Sequence, residues 1–534
     1  MGQSTDPARF DEAFGVVVYT QFMTHEMLMT GDWAKGPAGT NECPWTNLLE
    51  PPPSLLRGQV AESWEIDGQT IVWHIRKGIH WQVYPESEAF RLANGRELTA
   101  DDVIFSKNYL WSSPSSHMNL NVNKATHVEQ WYAPDKWTVV CKTKPGKTGY
   151  TWRIVGMYSR IYPREVIEKY GSQRDWKNAV GSGPWILTDY VSGSSLTYKR
   201  NPNYWMDDPV NPGYKLPYFD GVKMLIIPDV STRLAALRTG KIDVLFGLTW
   251  DDARSLMQTN PELKHNEYVS SSPQQMHFRV DRPELPIYDV NVRKALCMAV
   301  DRQAIANDYY SGHANLLAWP VAPFPEFIKA GTYRPLETLP ESTREQFEYN
   351  PEKAKKLLDA AGYPNGFKLE TICYSAEQSD LASIVAGYWA KIGVKLDIQV
   401  KEYTVWSSIG TRRTALQTFI GSISSGWPFQ FMGMRPNDSW NYSHVNDPRI
   451  DEQWVIQDQF YFDFPKKSKM YYDFLPYVYD KVLNLQFPAP SRFNFWQPWL
   501  MNFHGESQVG NAESTYERYI WMDQDMKKAM TGGR

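Results

Sequence analysis

Four short runs in this sequence carry residue types that do chemistry when correctly spaced, and each of them misses the spacing. Pro145-Gly146-Lys147-Thr148 has the Gly-Lys-Thr of a phosphate-binding loop, but that motif needs a second glycine five residues earlier, and position 141 is Cys. Gly181-Ser182-Gly183 lacks the third glycine of a dinucleotide fingerprint, and Pro184 follows with no backbone N–H to offer. His25-Glu26 has no second His at position 29, so a zinc-protease helix is not formed. Gly421-Ser422-Ile423-Ser424-Ser425-Gly426 resembles a nucleophile elbow without its G-x-S-x-G spacing. All four read as turns.

Other reactive types are dispersed. The ten His are scattered, and the closest pair, His74 and His80, falls on a strand and the turn after it; no metal site is expected. Cys43, Cys141, Cys297 and Cys373 form no CxxC or Cys/His spacing and read as buried, inert thiols. Paired carboxylates for glycoside hydrolysis are defined by spatial separation, so abundant Asp and Glu neither support nor oppose them. No catalytic residue, metal or cofactor is assigned. The unusual feature is aromatic: 14% of residues, with 22 Trp, a content that suits packing and also suits stacking of ligands on flat apolar faces.

The elements that would position a site are legible by period. Ile71, Trp73, Ile75 and Trp137, Val139, Cys141 alternate as half-buried strands. Val292, Ala295, Leu296, Ala299 and Val300 form a helical stripe, and Asn350-Pro351 opens a helix that Gly362 closes. Ser379 is expected to cap a helix with stripe Leu381, Ile384, Val385, Tyr388, Trp389, Ile392; Gly393 ends it, and Val394 to Val400 alternate as a strand. Ser231, a Leu234/Leu237 helix, Gly240 and a strand through Ile242, Val244 and Phe246 repeat the theme. Helices feeding strands through a glycine indicate α/β lobes, and 534 residues are enough for two or three of them.

A net charge of −4 with dispersed Lys and Arg gives no reason to expect a nucleic-acid partner. No segment approaches the roughly 20 uninterrupted apolar residues of a membrane span. Met1-Gly2-Gln3-Ser4 shows neither basic n-region nor apolar h-region, which reads either as cytoplasmic or as a chain whose leader has been replaced by Met1.

Five segments, in order, resemble the solute-binding proteins of peptide/nickel ABC importers (family 5, cluster C). They are Ala61-Glu62-Ser63-Trp64-Glu65 with Arg76-Lys77-Gly78 and Leu98-Thr99-Ala100-Asp101-Asp102-Val103; Gly181-Ser182-Gly183-Pro184-Trp185 with Asn201-Pro202-Asn203-Tyr204-Trp205; Pro217-Tyr218-Phe219-Asp220 with Arg238-Thr239-Gly240-Lys241-Ile242-Asp243-Val244; Asp289-Val290-Asn291-Val292-Arg293-Lys294-Ala295-Leu296 with Val300-Asp301-Arg302; and Ala361-Gly362-Tyr363 with Gly366-Phe367 and Ile392-Gly393-Val394. The matches run from about residue 55 to 430. They read as caps, turns and packing stripes, which specify a fold and say little of a ligand.

The resemblance implies an α/β, two-lobed periplasmic-binding-protein fold of type II with an extra subdomain in lobe I. Residues 1–54, 181–275 and 486–534 would form lobe I, 55–180 its extra subdomain, and 276–485 lobe II, with hinge strands near Met276–Val280 and Leu485–Pro488. It implies a monomeric, non-enzymatic, periplasmic or cell-surface lipoprotein subunit of an ABC importer. Such a subunit captures a small organic ligand between the lobes and delivers it to the permease. A secreted hydrolase acting on oligosaccharides or peptides is the alternative, and a periplasmic chaperone or signalling receptor on the same fold is a third reading. Peptide binders of the family place an Asp after a strand-end Trp; here Trp427 is followed by Pro428-Phe429, and Cys373-Tyr374-Ser375-Ala376-Glu377 lacks the dipeptide binders' Arg. A charge-assisted hydrogen bond contributes about 1.5–3 kcal/mol, so losing both anchors counts against free dipeptides unless Arg412, Arg413 or Arg435 substitutes. The Trp content and Ser424-Ser425-Gly426-Trp427 suit an oligosaccharide; longer peptides, opines and other small organics stay open. Candidate ligand contacts are Tyr19 and Thr20 at the end of the first strand, Trp250, Tyr374, Ser425, Trp427 and Trp496.

Overall fold

A computed structural model describes residues 2–3, 5–7, 9–15, 19–46, 50–436, 438–510, 512–513 and 516–532. The chain divides into two compact units, Met1–Glu267 with Phe493–Arg534, and Tyr268–Arg492. Strands Lys264–Val269 and Ala489–Trp496 carry the chain across the two borders. Residues 276–280 and 485–488, where hinge strands were expected, begin in paired neighbours inside the second unit's own sheet: Met276 lies opposite Leu485. The family resemblance placed the crossovers there; Met276, Phe278 and Leu485 instead pack in this unit's core.

In the first unit, Ala61–Asp67, Thr70–Ile75, Thr138–Thr143 and Val128–Asp135 form a four-stranded antiparallel sheet. Its alternation buries Ile71, Trp73 and Ile75. Helix Ala100–Ser112 follows a capping box in which Asp102 accepts the Thr99 N–H at 2.9 Å. Arg96 holds the same carboxylate with two hydrogen bonds, 2.9 and 2.6 Å, fixing the helix entry. A second four-stranded sheet runs Gly2–Gln3, Gly221–Ile226, Ser195–Arg200, Trp185–Val191. The Gly181/Gly183 turn is a close backbone approach: a Cβ on Gly181 would lie 1.9 Å from the Thr24 carbonyl oxygen. Gln82 seals that approach by donating to the carbonyls of Thr24, Gly183 and Trp185. Deeper in this unit, buried Glu26 accepts from Arg518 at 3.0 Å and from the Tyr204 hydroxyl at 2.7 Å. Burial raises the Glu26 carboxyl against the pull of Arg518.

The second unit is built on a five-stranded sheet in the order Lys395–Val400, Lys368–Cys373, Thr418–Ser422, Gln274–Phe278, Asn484–Gln486. The first three strands are parallel, and Gln274–Phe278 runs against both of its neighbours. On one face, Met276, Phe278, Leu369, Cys373, Ile420 and Leu485 pack against helices Val290–Met298, Pro351–Ala360 and Ala376–Ala390. Ser375, not Ser379, caps the last of these helices, and Asp229, not Ser231, caps Val230–Arg238. In both cases a polar residue inside the first turn or so of the helix was read as its start. Gly366 and Gly393 are left-handed (φ +69° and +84°), and a Cβ on Gly366 would meet the Gly393 carbonyl oxygen at 1.9 Å. The helix-to-strand crossover therefore needs both glycines.

All four cysteines are buried and free. Among the described residues no group of three or more His, Cys, Asp or Glu could hold a metal ion. No described helix is long and apolar enough to cross a membrane.

Candidate functional site

Parallel strands in an α/β sheet aim their carboxyl ends at one edge, and the loops there form the usual ligand site because helix starts and free backbone groups converge on it. In the second unit that edge collects Tyr374-Ser375, Lys401-Glu402 and Ile423–Trp427 from the three parallel strands. The antiparallel register adds Ser270–Ser272 before Gln274 and Phe487 after Gln486. The middle of the edge is neutral and tightly bonded. The Ser425 N–H and hydroxyl both donate to the Ser271 carbonyl, at 2.7 and 3.0 Å. Gln378 accepts the Tyr374 N–H at 3.0 Å and donates to the Gln274 side chain at 3.1 Å.

Toward the outer strand the edge becomes aromatic. Helix Tyr403–Arg412 starts after Lys395–Val400, and its first turn brings Tyr403 and Trp406 beside Tyr374. Ring centroids of Tyr374 lie 4.4 Å from Trp406 and 5.2 Å from Tyr403. Trp406 stacks on Phe419 at 5.3 Å and 15°, and its Nε1 donates to the Ile420 carbonyl at 3.0 Å. The indole is thus fixed to the sheet, while Tyr374 and Tyr403 stay 37% and 55% exposed. This is a rigid aromatic step open to solvent.

The start of helix Ala376–Ala390, directly after Tyr374-Ser375, adds a charged pair to the edge. Glu377 accepts the Tyr310 hydroxyl at 3.0 Å and lies 3.8 Å from Arg492, both side chains about a quarter exposed. A 3.8 Å contact is a loose ion pair with capacity left on both members. Sequence reading missed this pair because Arg492 is 115 positions from Glu377. It also missed Tyr403 and Trp406, although their i, i+3 spacing after an alternating strand was a usable signal. Arg412 and Arg413, weighed as anchors, close the far end of helix Tyr403–Arg412, about 15 Å from its start. Arg413 donates to the Pro436 carbonyl at 2.7 Å, and Arg435 covers the Trp454 ring at 4.2 Å.

Of the residues singled out from sequence, Tyr374, Ser425 and Trp427 share this edge, Ser425 fully buried and Trp427 half-buried. The remaining four belong to the first unit. Tyr19 and Thr20 open helix Tyr19–Thr24 instead of ending a strand, and positions 16–18 before them lie outside the described residues. Tyr19 is 52% exposed; Thr20 is buried, and its hydroxyl finds no hydrogen-bond partner among the described residues. Trp250 starts helix Trp250–Thr259 and packs on Phe493 at 5.6 Å. Trp496 is 4% exposed, edge-on to Phe503 at 5.2 Å, with its Nε1 likewise unpartnered.

Comparison with known proteins agrees with this architecture. Heme-binding protein A of Haemophilus influenzae is 28% identical over 362 residues, 63% of this chain and 60% of that protein. The matched stretch thus spans about three fifths of that relative's length. The dipeptide-binding protein of Escherichia coli is 26% identical over 387 residues, covering 68% and 67% of the two chains. The periplasmic binding protein DppA of Helicobacter pylori, solved with the peptide STSA, superposes with a TM-score of 0.74 at 18% identity over 98% of this chain and 97% of its own. The fold is the two-lobed α/β fold of type II periplasmic binding proteins. The family described as bacterial extracellular solute-binding proteins, family 5 Middle, matches residues 56–443, well over half of the sequence, and the chain belongs to that family.

Proposed function

We propose that this protein is the solute-capturing subunit of an ABC importer, acting in the periplasm or at the cell surface as a monomer, and that it delivers a small organic solute to a membrane permease. The observation that carries the reading is the edge of the second unit's sheet, which combines a neutral Ser/Gln centre, a fixed aromatic step and a loose Glu–Arg pair. The arrangement suits recognition without turnover. Among the described residues the Ser425 hydroxyl donates to a backbone carbonyl rather than to a base. Relatives whose names give heme and dipeptide as ligands fit a small organic solute as cargo.

Glu377 and Arg492 favour a short peptide, since they supply partners for its ammonium and carboxylate in place of the Asp absent after Trp427 and the Arg absent from Cys373–Glu377. An oligosaccharide is the second reading, favoured by the aromatic step and the uncharged centre.

The test is a thermal-shift panel of trialanine, Ala-Phe-Ala, cellotriose, maltotriose and small organic acids, with each compound recovered afterwards by mass spectrometry. A true ligand at a hundredfold its Kd stabilises by about 2.7 kcal/mol and is returned intact. Trp427→Ala should weaken the same shift at least tenfold in ligand concentration. Conversion of any compound to product would replace this reading with the hydrolase alternative, and a flat panel would count against solute capture.

A further inference from the structure

The sheet of the second unit has a second face, and its polar groups are not accounted for by the protein. Strands Gln274–Phe278 and Asn484–Gln486 pair with Gln275 opposite Gln486 and His277 opposite Asn484. Met276, Phe278 and Leu485 point into the helix-covered core, so by strand alternation those four polar side chains all point to the other face. They form a patch of two adjacent cross-strand pairs, about 5 Å by 7 Å. The edge loops and the segment around Tyr442 cover it: Ile423 donates its N–H to Gln275 at 3.1 Å, the Tyr442 ring lies 5.0 Å from His277, and Ser443 donates to the Leu483 carbonyl at 2.8 Å.

Each of the four carries a buried polar atom with no hydrogen-bond partner among the described residues: Gln275 Nε2, His277 Nε2, Asn484 Nδ2 and Gln486 Oε1. Gln275 and His277 are essentially inaccessible, while Asn484 and Gln486 keep 5% exposure each. Leaving one such atom unpaired costs about 1–3 kcal/mol, so four in one patch call for a polar occupant, ordered water or a solute group. Their types define what that occupant is. Gln275 and Asn484 offer N–H donors and Gln486 offers a carbonyl acceptor. His277 is bonded through its other ring nitrogen to the Gly421 backbone and is held neutral by burial, so Nε2 is an acceptor. Two donors and two acceptors with no formal charge match a neutral group that both donates and accepts.

We infer that this patch, lying beneath the edge loop that carries Ile423, is an inner subsite that takes an uncharged amide or hydroxyl group of the bound solute. The inference rests on the solute-binding reading and sharpens it, because a carboxylate or ammonium placed there would lose its hydration without gaining a counter-charge. Specificity would arise as it does wherever a site has buried polar groups to satisfy: a solute lacking the matching group leaves them unpaired.

Asn484→Leu and Gln486→Met test the subsite one at a time, since each replaces an unpartnered polar group by an apolar one of similar size. The readouts are the melting temperature of the free protein and the Kd for whichever of trialanine, Ala-Phe-Ala, cellotriose or maltotriose stabilises the wild type. The expected result is a melting temperature equal to or above wild type together with roughly tenfold weaker binding. Loss of affinity below threefold in both variants would overturn the subsite. So would a clear fall in the free protein's melting temperature in both, because it would mean the polar atoms have partners within the protein. If no compound stabilises the wild type, the solute-binding reading fails, and the melting temperatures of the two free variants still decide whether the patch is unsatisfied.

Discussion

Arg293 offers the sharpest test of how the second unit holds its site. The residue is 6% exposed, and its guanidinium donates to four backbone carbonyls: Nε to Val482 at 2.9 Å, Nη1 to Ile287 at 2.8 Å and to Tyr288 at 2.7 Å, and Nη2 to Lys481 at 2.8 Å. Among the described residues it makes no ion pair with a carboxylate. It ties helix Val290–Met298 to the turn that feeds strand Asn484–Gln486, hence to the inner patch and the sheet edge. Arg293→Met keeps the aliphatic stem and removes the fork. The Tyr288 and Lys481 carbonyls are only partly buried and can turn to water. The Val482 and Ile287 carbonyls are buried and would be left unsatisfied at about 1–3 kcal/mol each, so roughly 4 kcal/mol is the expected loss. Hydrogen–deuterium exchange of the amides in Val290–Met298 reads it locally, and 4 kcal/mol corresponds to several hundredfold faster exchange, at about tenfold per 1.4 kcal/mol. Arg293→Lys should recover less than half, because an ammonium is a point donor that cannot span acceptors on three sides. Exchange accelerated less than tenfold in the Met variant, or fully restored by Lys, would refute the stapling role.

Two further outcomes follow from the buried charges of the first unit and the buried histidines. Glu26→Ala strands Arg518, which is 2% exposed and bonded to Glu26 and Tyr204, and should cost about 3–5 kcal/mol in urea unfolding; the double change with Arg518→Met should restore most of it, and an unaltered midpoint in the single variant would dismiss the pair. Burial lowers His25 and His277 to about 3 and His117 and His127 to about 4, so these rings stay neutral in the fold while the unfolded chain takes up protons below about 6.5. Stability is therefore complete above that value and lost as pH falls toward 4, by roughly 2 kcal/mol per ring at pH 5. Glu517, raised by burial to about 7, acts in the opposite sense, its contribution present in acid and lost as pH rises through 7. Urea midpoints at pH 7, 6 and 5 should fall overall, and a flat profile would contradict the burial of the four rings.

Much of the architecture was legible because it is written in local signals. The Thr99/Asp102 capping box, the Asn350-Pro351 helix start, the alternation of Ile71, Trp73 and Ile75, and the glycines at 366 and 393 depend on neighbours a few residues away. A periodic pattern or a turn residue reports them directly. The same locality explains the errors. Ser379 and Ser231 are good caps by type, and only the actual start of each helix shows that Ser375 and Asp229 hold that position. The stretches around 276–280 and 485–488 alternate apolar and polar residues, a strand pattern that serves a crossover and a sheet centre equally.

By itself, then, the sequence determined the α/β class, the order of elements and the family, since five ordered motifs of caps, turns and packing stripes specify a backbone path. It did not determine the candidate site. Tyr374 meets Trp406, Glu377 meets Arg492, and Gln275 faces Gln486 only because strands distant in the chain align their ends and registers in one sheet. Strand pairing is a long-range choice stabilised by core burial, and it leaves no periodic trace at the polar positions it brings together. Tertiary structure alone decided where the aromatic, charged and unsatisfied polar groups stand.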